Sequence, residues 1–269
     1  MAAEGGGLPE VPFLLPAIHF PALPGAPALE SHAVAFGFLV MGLLLVGAII
    51  MRLAMEVSPT GIQNLLEWLV QTVEEQATGL QGEKAVRFMP LFATLFLFIL
   101  VSNLIGLIPG CMSPTASYHT NLAMALVVAL VTQWAGIRSI GFRGYLGHFL
   151  PPPCPWWLYW SLMWWMWPLI HLLEQVIRPI SLTMRLYGNL YAKEMLLMML
   201  SVVAVTFFGS PSTFVKVLGV VPFLMRPAII LLGTLVSIVQ AAVFTILAMV
   251  YVALAMESHE EGHAEVHAH

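Results

Sequence analysis

Residues 179–194 read Pro-Ile-Ser-Leu-Thr-Met-Arg-Leu-Tyr-Gly-Asn-Leu-Tyr-Ala-Lys-Glu, which places Arg185, Lys193 and Glu194 inside a region otherwise made of lipid-soluble side chains. Apolar residues precede the stretch from Trp156 to Ile170 and follow it from Met195 to Phe208. A guanidinium does not deprotonate in a protein, so Arg185 cannot escape burial by neutralising itself. Holding it at mid-membrane costs about 3 kcal/mol on insertion scales. A cost of that size makes a function the default reading of the arginine.

The surrounding composition fixes the class. Of 269 residues, 59% are hydrophobic and 9% charged, far outside the range of soluble domains. Several segments are long enough to cross a bilayer, so the fold class is all-α and polytopic. The segments of about ten alternating residues that a transmembrane β-barrel needs do not occur. A formal net charge of −4 gives no reason to expect nucleic acid, and every acidic residue is Glu. Cys111 and Cys154 allow one disulfide but form no framework and have no metal-ligand spacing. Residues 1–32 hold no Lys or Arg, so they lack the basic start of a cleaved signal peptide and read as an irregular tail.

Working outward, Ala33–Met51 is an uncharged run that ends at Arg52 and predicts a first span. Ile62, Leu65, Leu66, Leu69, Val70 and Val73 recur with helical period opposite Gln63, Glu67, Gln71 and Glu74. That pattern predicts an amphipathic helix lying on the membrane surface or packing against protein. Phe88–Pro109 and Asn121–Ile137 predict the second and third spans. A Pro-rich connection, Gly144–Pro155, separates them from two over-length elements, roughly 156–208 and 217–256. Forty-five helical residues extend about 68 Å, against a hydrocarbon core of about 30 Å. These elements must tilt steeply or break, with Pro168 and Pro179 as bend points. Joined at Gly209-Ser-Pro-Ser212, they predict a tilted helical hairpin. The expected fold is five membrane-embedded helices plus the amphipathic one, with a tail at 1–32, a membrane domain at 33–256 and a polar tail at 257–269. The histidines of that last tail could hold a metal, but a solvated tail explains them more simply.

Basic residues in short loops set the orientation. Arg52, Lys84, Arg87, Arg138 and Arg143 share one side, which the positive-inside rule assigns to the cytoplasm. The N-terminus is then outside and the C-terminus inside.

At 100° per residue, His171, Glu174, Arg178, Ser181 and Asn189 all fall within about 40° of Arg185. Lys193 lies about 80° away and Glu194 roughly opposite. A polar line thus leads from His171 and Glu174 to Arg185 on the cytoplasmic side, with a separate carboxyl outward on another face. Two offset polar paths meeting at a permanent charge suggest proton conduction with a barrier between them. Ser237, Gln240 and Thr245 add polar groups to the final helix. Simpler readings stand beside this one: Glu174 and Arg178 form an i, i+4 pair suited to a structural salt bridge, and His171, Ser181, Asn189 and Gln240 suit interhelical hydrogen bonding. Arg185 has no carboxylate three or four residues away, so its counter-charge must come from elsewhere.

The run 179–194 resembles the signature of subunit a of F-type ATP synthases. Pro114-Thr-Ala-Ser-Tyr-His-Thr-Asn-Leu-Ala-Met-Ala-Leu126 and Ile238-Val-Gln-Ala-Ala-Val-Phe-Thr-Ile-Leu-Ala-Met-Val-Tyr-Val252 are also similar to that family, and the likeness extends from about residue 33 to 256. The resemblance implies a non-catalytic stator subunit of the Fo sector, without cofactor or metal, in a bacterial inner membrane. It implies a ring of c subunits as partner, each with one membrane carboxyl group, together with the b-subunit peripheral stalk, the F1 headpiece and lipid. Arg185 matches the essential arginine that attracts the ionised ring carboxylate and blocks leakage between two aqueous half-channels. Gln240 matches the glutamine facing that arginine, Asn189 the asparagine of the motif and Glu194 the outer-channel carboxyl. Glu174 and His171 fall where members carry an acidic group on the cytoplasmic path. The chain departs from the family at Lys193, often a small residue, at Gly233, where some members have His or Glu, and at Ser117, where some have Asp. Lys193 either tunes Glu194 and the outer path or extends outward without a part in conduction. A secondary transporter, with Arg185 binding an anionic substrate, is the alternative from the residues alone, although no internal repeat supports it.

Overall fold

The computed structural model describes residues 31–53, 61–108, 111–148 and 163–257. The tails at 1–30 and 258–269, most of the Pro-rich connection and Cys154 lie outside them; Cys111 carries a free thiol. The described chain is helical: α1 (Ser31–Leu53), α2 (Ile62–Gln81), α3 (Met89–Ile105), α4 (Tyr118–His148), α5 (Met163–Gly209), α6 (Thr213–Leu218) and α7 (Val220–Glu257). Short 3-10 turns at Gly82–Arg87 and Pro114–Ala116 lead into α3 and α4.

Stretches of α1, α4, α5 and the α6–α7 unit are long and apolar enough to span a bilayer, and α3 is a shorter apolar helix of 17 residues. Seventeen residues rise about 26 Å, at the lower limit for a span. The five membrane-embedded helices and the amphipathic α2 therefore match the expected fold. Helix α5 runs unbroken through Pro168 and Pro179 for 47 residues, so its excess length is not absorbed by a break. The third span, Tyr118–Ser139, ends within two residues of the expected Ile137. The chain then kinks at Gly141, whose φ of 79° is one that glycine adopts without steric cost, and a second helical stretch follows to His148.

The core lies where α3, α4 and α5 pack on α7. Phe92, Ile99, Val128, Leu186, Phe244, Met249 and Val252 are fully enclosed there. Leucines at every fourth position of α5 (182, 186 and 190) form its buried stripe. Most of α1 and the outer faces of α5 and α7 remain apolar and uncovered, as a lipid-facing surface must be. The amphipathic α2 divides between its two readings: Val73 and Ala77 bury against the chain's own helices, while Leu65 and Trp68 stay exposed.

Where α3 turns toward α4, Ser113 donates or accepts within a buried polar knot. Its Oγ lies 2.9 Å from the Ser102 carbonyl oxygen and 2.7 Å from Thr115 Oγ1. Thr115 donates to Asn103 Oδ1 at 2.6 Å, and Asn121 donates to the Thr115 carbonyl at 2.7 Å. Gly106 closes the knot, because a Cβ there would meet Ser113 Cβ at 2.6 Å. Gly106→Ala should destabilise the protein by about 1–3 kcal/mol through overpacking. Gly79→Ala, where a Cβ meets nothing within 4 Å, should be neutral or stabilising. Thermal unfolding in detergent checks both, and an unaffected Gly106→Ala would show that the turn is not tightly held.

Candidate functional site

Helix α5 turns two adjacent stripes in different directions. Leu182, Leu186 and Leu190 enter the core; one residue earlier in each turn, Ser181, Arg185 and Asn189 are exposed. Glu174 is exposed on the same helix, and the His171 side chain lies outside the described ones. The Arg185 guanidinium therefore stands on an uncovered face whose nearest residues by helical angle, Ser181, Gly188, Asn189 and Ala192, are also exposed. Among the described residues it makes no ion pair or hydrogen bond.

Glu174 and Arg178 do pair, at 2.5 Å, and the Arg178 guanidinium lies 5.3 Å over the Tyr251 ring. The geometry of the simple salt bridge is thus realised, and it leaves Arg185 as the cation of the stripe without a carboxylate. Beside Arg178, a cavity of about 10 Å³ is lined by Thr132, Gln175, Arg178 and Tyr251 among others. That is about the least space that holds one water. Gln133 and Gln175 hydrogen-bond across the same α4–α5 seam.

One turn beyond Arg185, Asn189 Nδ2 donates to Gln240 Oε1 at 2.8 Å, tying the two arms of the hairpin together. Gln240 is buried, and its Nε2 has no partner among the described residues. The glutamine therefore reaches the polar stripe through Asn189 rather than through a direct bond to Arg185.

Lys193 differs from the other charged residues of α5, being 9% exposed with Nζ enclosed and lacking a hydrogen bond. Glu194 beside it is half-buried and engaged. A Cβ at Gly233 would stand 2.9 Å from Lys193 Cδ and 3.4 Å from Leu107 Cδ2. The Lys193 stem thus fills the space left by the missing side chain on α7, and the two departures from the family pattern occupy one volume. Lys193 does not extend outward.

Ser102, Asn103 and Thr115 were not candidates from sequence, yet all are buried here, together with Ser237, already noted as a polar group of the final helix. Asn103 Nδ2 reaches the Ser237 carbonyl at 3.4 Å, which links the polar knot to α7 one turn from Gly233. The available signal was Ser102-Asn103 within an otherwise apolar span. Ser117 is buried at the start of α4.

Fold and site together define a polytopic helical membrane protein that presents a permanent cation on the outer face of a long helical hairpin. The ATP synthase A chain family matches residues 34–253. Relatives include ATP synthase subunit a of Trichlorobacter lovleyi, 39% identical over 231 residues, which cover 85% of this chain and 88% of that protein. The Geobacter sulfurreducens subunit a is 38% identical over 230 residues, covering 84% and 88% respectively. The chain belongs to the ATP synthase A chain family. It is a non-catalytic, proton-channel stator subunit of the Fo sector, and this membership displaces the transporter reading.

The shared volume of Lys193 and Gly233 gives a direct test. Gly233→Ala should cost about 1–3 kcal/mol by crowding the lysine stem. Adding Lys193→Gly to the same protein should recover most of that loss in thermal unfolding of the assembled complex. Simple additivity of the two changes would mean that the side chains do not share the space.

Proposed function

We propose that Arg185 is the cation that faces the c-ring and separates two proton paths, with Glu194 and Lys193 on the outer path and Glu174, His171 and Ser181 on the cytoplasmic one. The observation that carries this reading is the exposed guanidinium, unpaired among the described residues, on the uncovered polar stripe of an otherwise apolar helix. Such a charge gains a partner only from outside the chain, and an ionised carboxylate on a moving ring is suited to supply it. In a low-dielectric setting their attraction greatly exceeds its value in water. A ring carboxylate that loses its proton to the cytoplasmic path is drawn to Arg185 and held there until the next step. After protonation from the outer path it is neutral, and it can travel through lipid at little cost.

Because Arg185 keeps its own proton, it cannot relay one from path to path. The barrier against leakage is the same group that attracts the anion. Asn189 and Gln240 are positioning residues: their hydrogen bond fixes the separation of the two hairpin arms beside the arginine. Arg178 is neutralised by Glu174 and so competes little for the ring carboxylate.

The remaining assignments extend this reading. The basic ends at Arg52, Arg87 and Arg138 face the cytoplasm, so the N-terminus is outside and the C-terminus inside. The membrane is the bacterial inner membrane. The b-subunit stalk holds the chain against the ring, and the F1 headpiece is coupled through the complex.

Arg185→Ala should lower proton-driven ATP synthesis in reconstituted vesicles by at least about a hundredfold, as expected when a preorganised charge is removed. Co-purification of the c-ring with the variant keeps loss of function distinct from loss of assembly. Wild-type synthesis by an assembled Arg185→Ala complex would refute the role.

A further inference from the structure

At the end of the bundle formed by the start of α3 and the end of the α4 span, two cations converge on one ring. The Arg87 guanidinium carbon lies 5.1 Å from the Trp134 ring centroid, and that of Arg138 lies 5.4 Å from the same centroid. Phe88 packs edge-on against the indole at 6.3 Å. Neither arginine has an ion pair among the described residues, and both are exposed. Cation–π contact offers each only about 0.5–1 kcal/mol at an exposed position. Two like charges gathered on one ring therefore call for an anion that the described chain does not supply.

The apolar surface that leads to them indicates what kind of anion. Leu126, Leu130, Trp134 and Arg138 follow one another at four-residue steps, forming one inclined ridge of α4. Leu126 is 47% exposed, Leu130 68% and Trp134 47%. The ridge thus passes from aliphatic side chains through an exposed indole to a guanidinium. Indoles settle at the membrane–water interface, and arginines bind phosphate in planar, two-pronged geometry. Arg87, the last residue of the 3-10 turn that leads into α3, reaches the same ring.

We propose that Arg87, Arg138 and Trp134 form a headgroup site for an anionic phospholipid whose acyl chain runs along Leu130 and Leu126. A free phosphate would use the two arginines but leave the aliphatic ridge without a role. A zwitterionic lipid would bring its own cation to a site that already has two. The site lies away from the Arg185 stripe on α5, so it would hold lipid at the stator without taking part in proton transfer.

The test uses the assembled complex, purified in neutral detergent and titrated with phosphatidylglycerol, phosphatidylcholine or inorganic phosphate, with retained lipid read by native mass spectrometry. Wild-type complex should retain phosphatidylglycerol in preference to phosphatidylcholine. In the Arg87→Gln, Arg138→Gln double variant the affinity for phosphatidylglycerol at this site should fall about thirtyfold, the loss of two interfacial cations. Arg87→Lys with Arg138→Lys should keep most of the binding. Leu130→Gln should weaken lipid retention without affecting any binding of inorganic phosphate. Equal retention of the two lipids by wild type, or unchanged phosphatidylglycerol retention in the double Gln variant, would overturn the proposal. Equally effective displacement of the lipid by inorganic phosphate would overturn it as well, in favour of a free-anion site. If the double Gln variant does not assemble, the wild-type lipid preference and the Leu130→Gln variant decide.

Discussion

A guanidinium on an uncovered surface, with no carboxylate partner among the described residues, is the constraint from which the rest of this structure follows. Burial in the bundle would have demanded an internal acid, and extension to bulk water is unavailable to a residue at the middle of a long apolar helix. α5 solves the problem by turning. Its leucines at 182, 186 and 190 anchor it to the core, and the residues one position earlier are left facing outward. The strength of the aliphatic stripe keeps the arginine exposed: rotating Arg185 inward would expose Leu186, which is fully enclosed.

The second arm of the hairpin serves the same end. α7 contributes the large side chains Phe244, Met249 and Val252 to the core and an uncharged amide, Gln240, at the level of the stripe. Its bond to Asn189 spans the arms without adding a charge that would compete with Arg185. Further along, Gly233 leaves space that the Lys193 stem takes, so a second cation is drawn into the interior instead of joining the outward face. Arg178, the third cation of this helix, is answered by Glu174. Of the basic side chains along the described span of α5, only Arg185 is both exposed and without a partner among the described residues.

The long apolar runs and the polar stripe were legible in the sequence because each rests on a local period. Arg185, Asn189, Ser181 and Glu174 could be placed on one face by angle alone, and the helices appear where the hydropathy puts them. What could not be read was any contact between distant segments. The pairing of Asn189 with Gln240 joins residues 51 positions apart, and the knot of Asn103, Thr115 and Ser237 depends on three elements meeting. Lys193 has the same angular position whether it extends outward or inward; only the space beside Gly233 settles its direction. The short helical stretch beyond the Gly141 kink was hidden for another reason. Arg143 and Gly144 carry the marks of a loop, yet the chain resumes a helical course after the kink as far as His148.

The account depends most directly on what Arg185 meets outside this chain. A density map of the assembled rotary complex at side-chain resolution measures that contact. The account predicts the guanidinium within about 4 Å of a c-ring carboxylate, or joined to it through one ordered water, on the uncovered face of α5. A map that pairs Arg185 with an acid of its own polypeptide, or leaves that face against bulk lipid with the ring elsewhere, would contradict it.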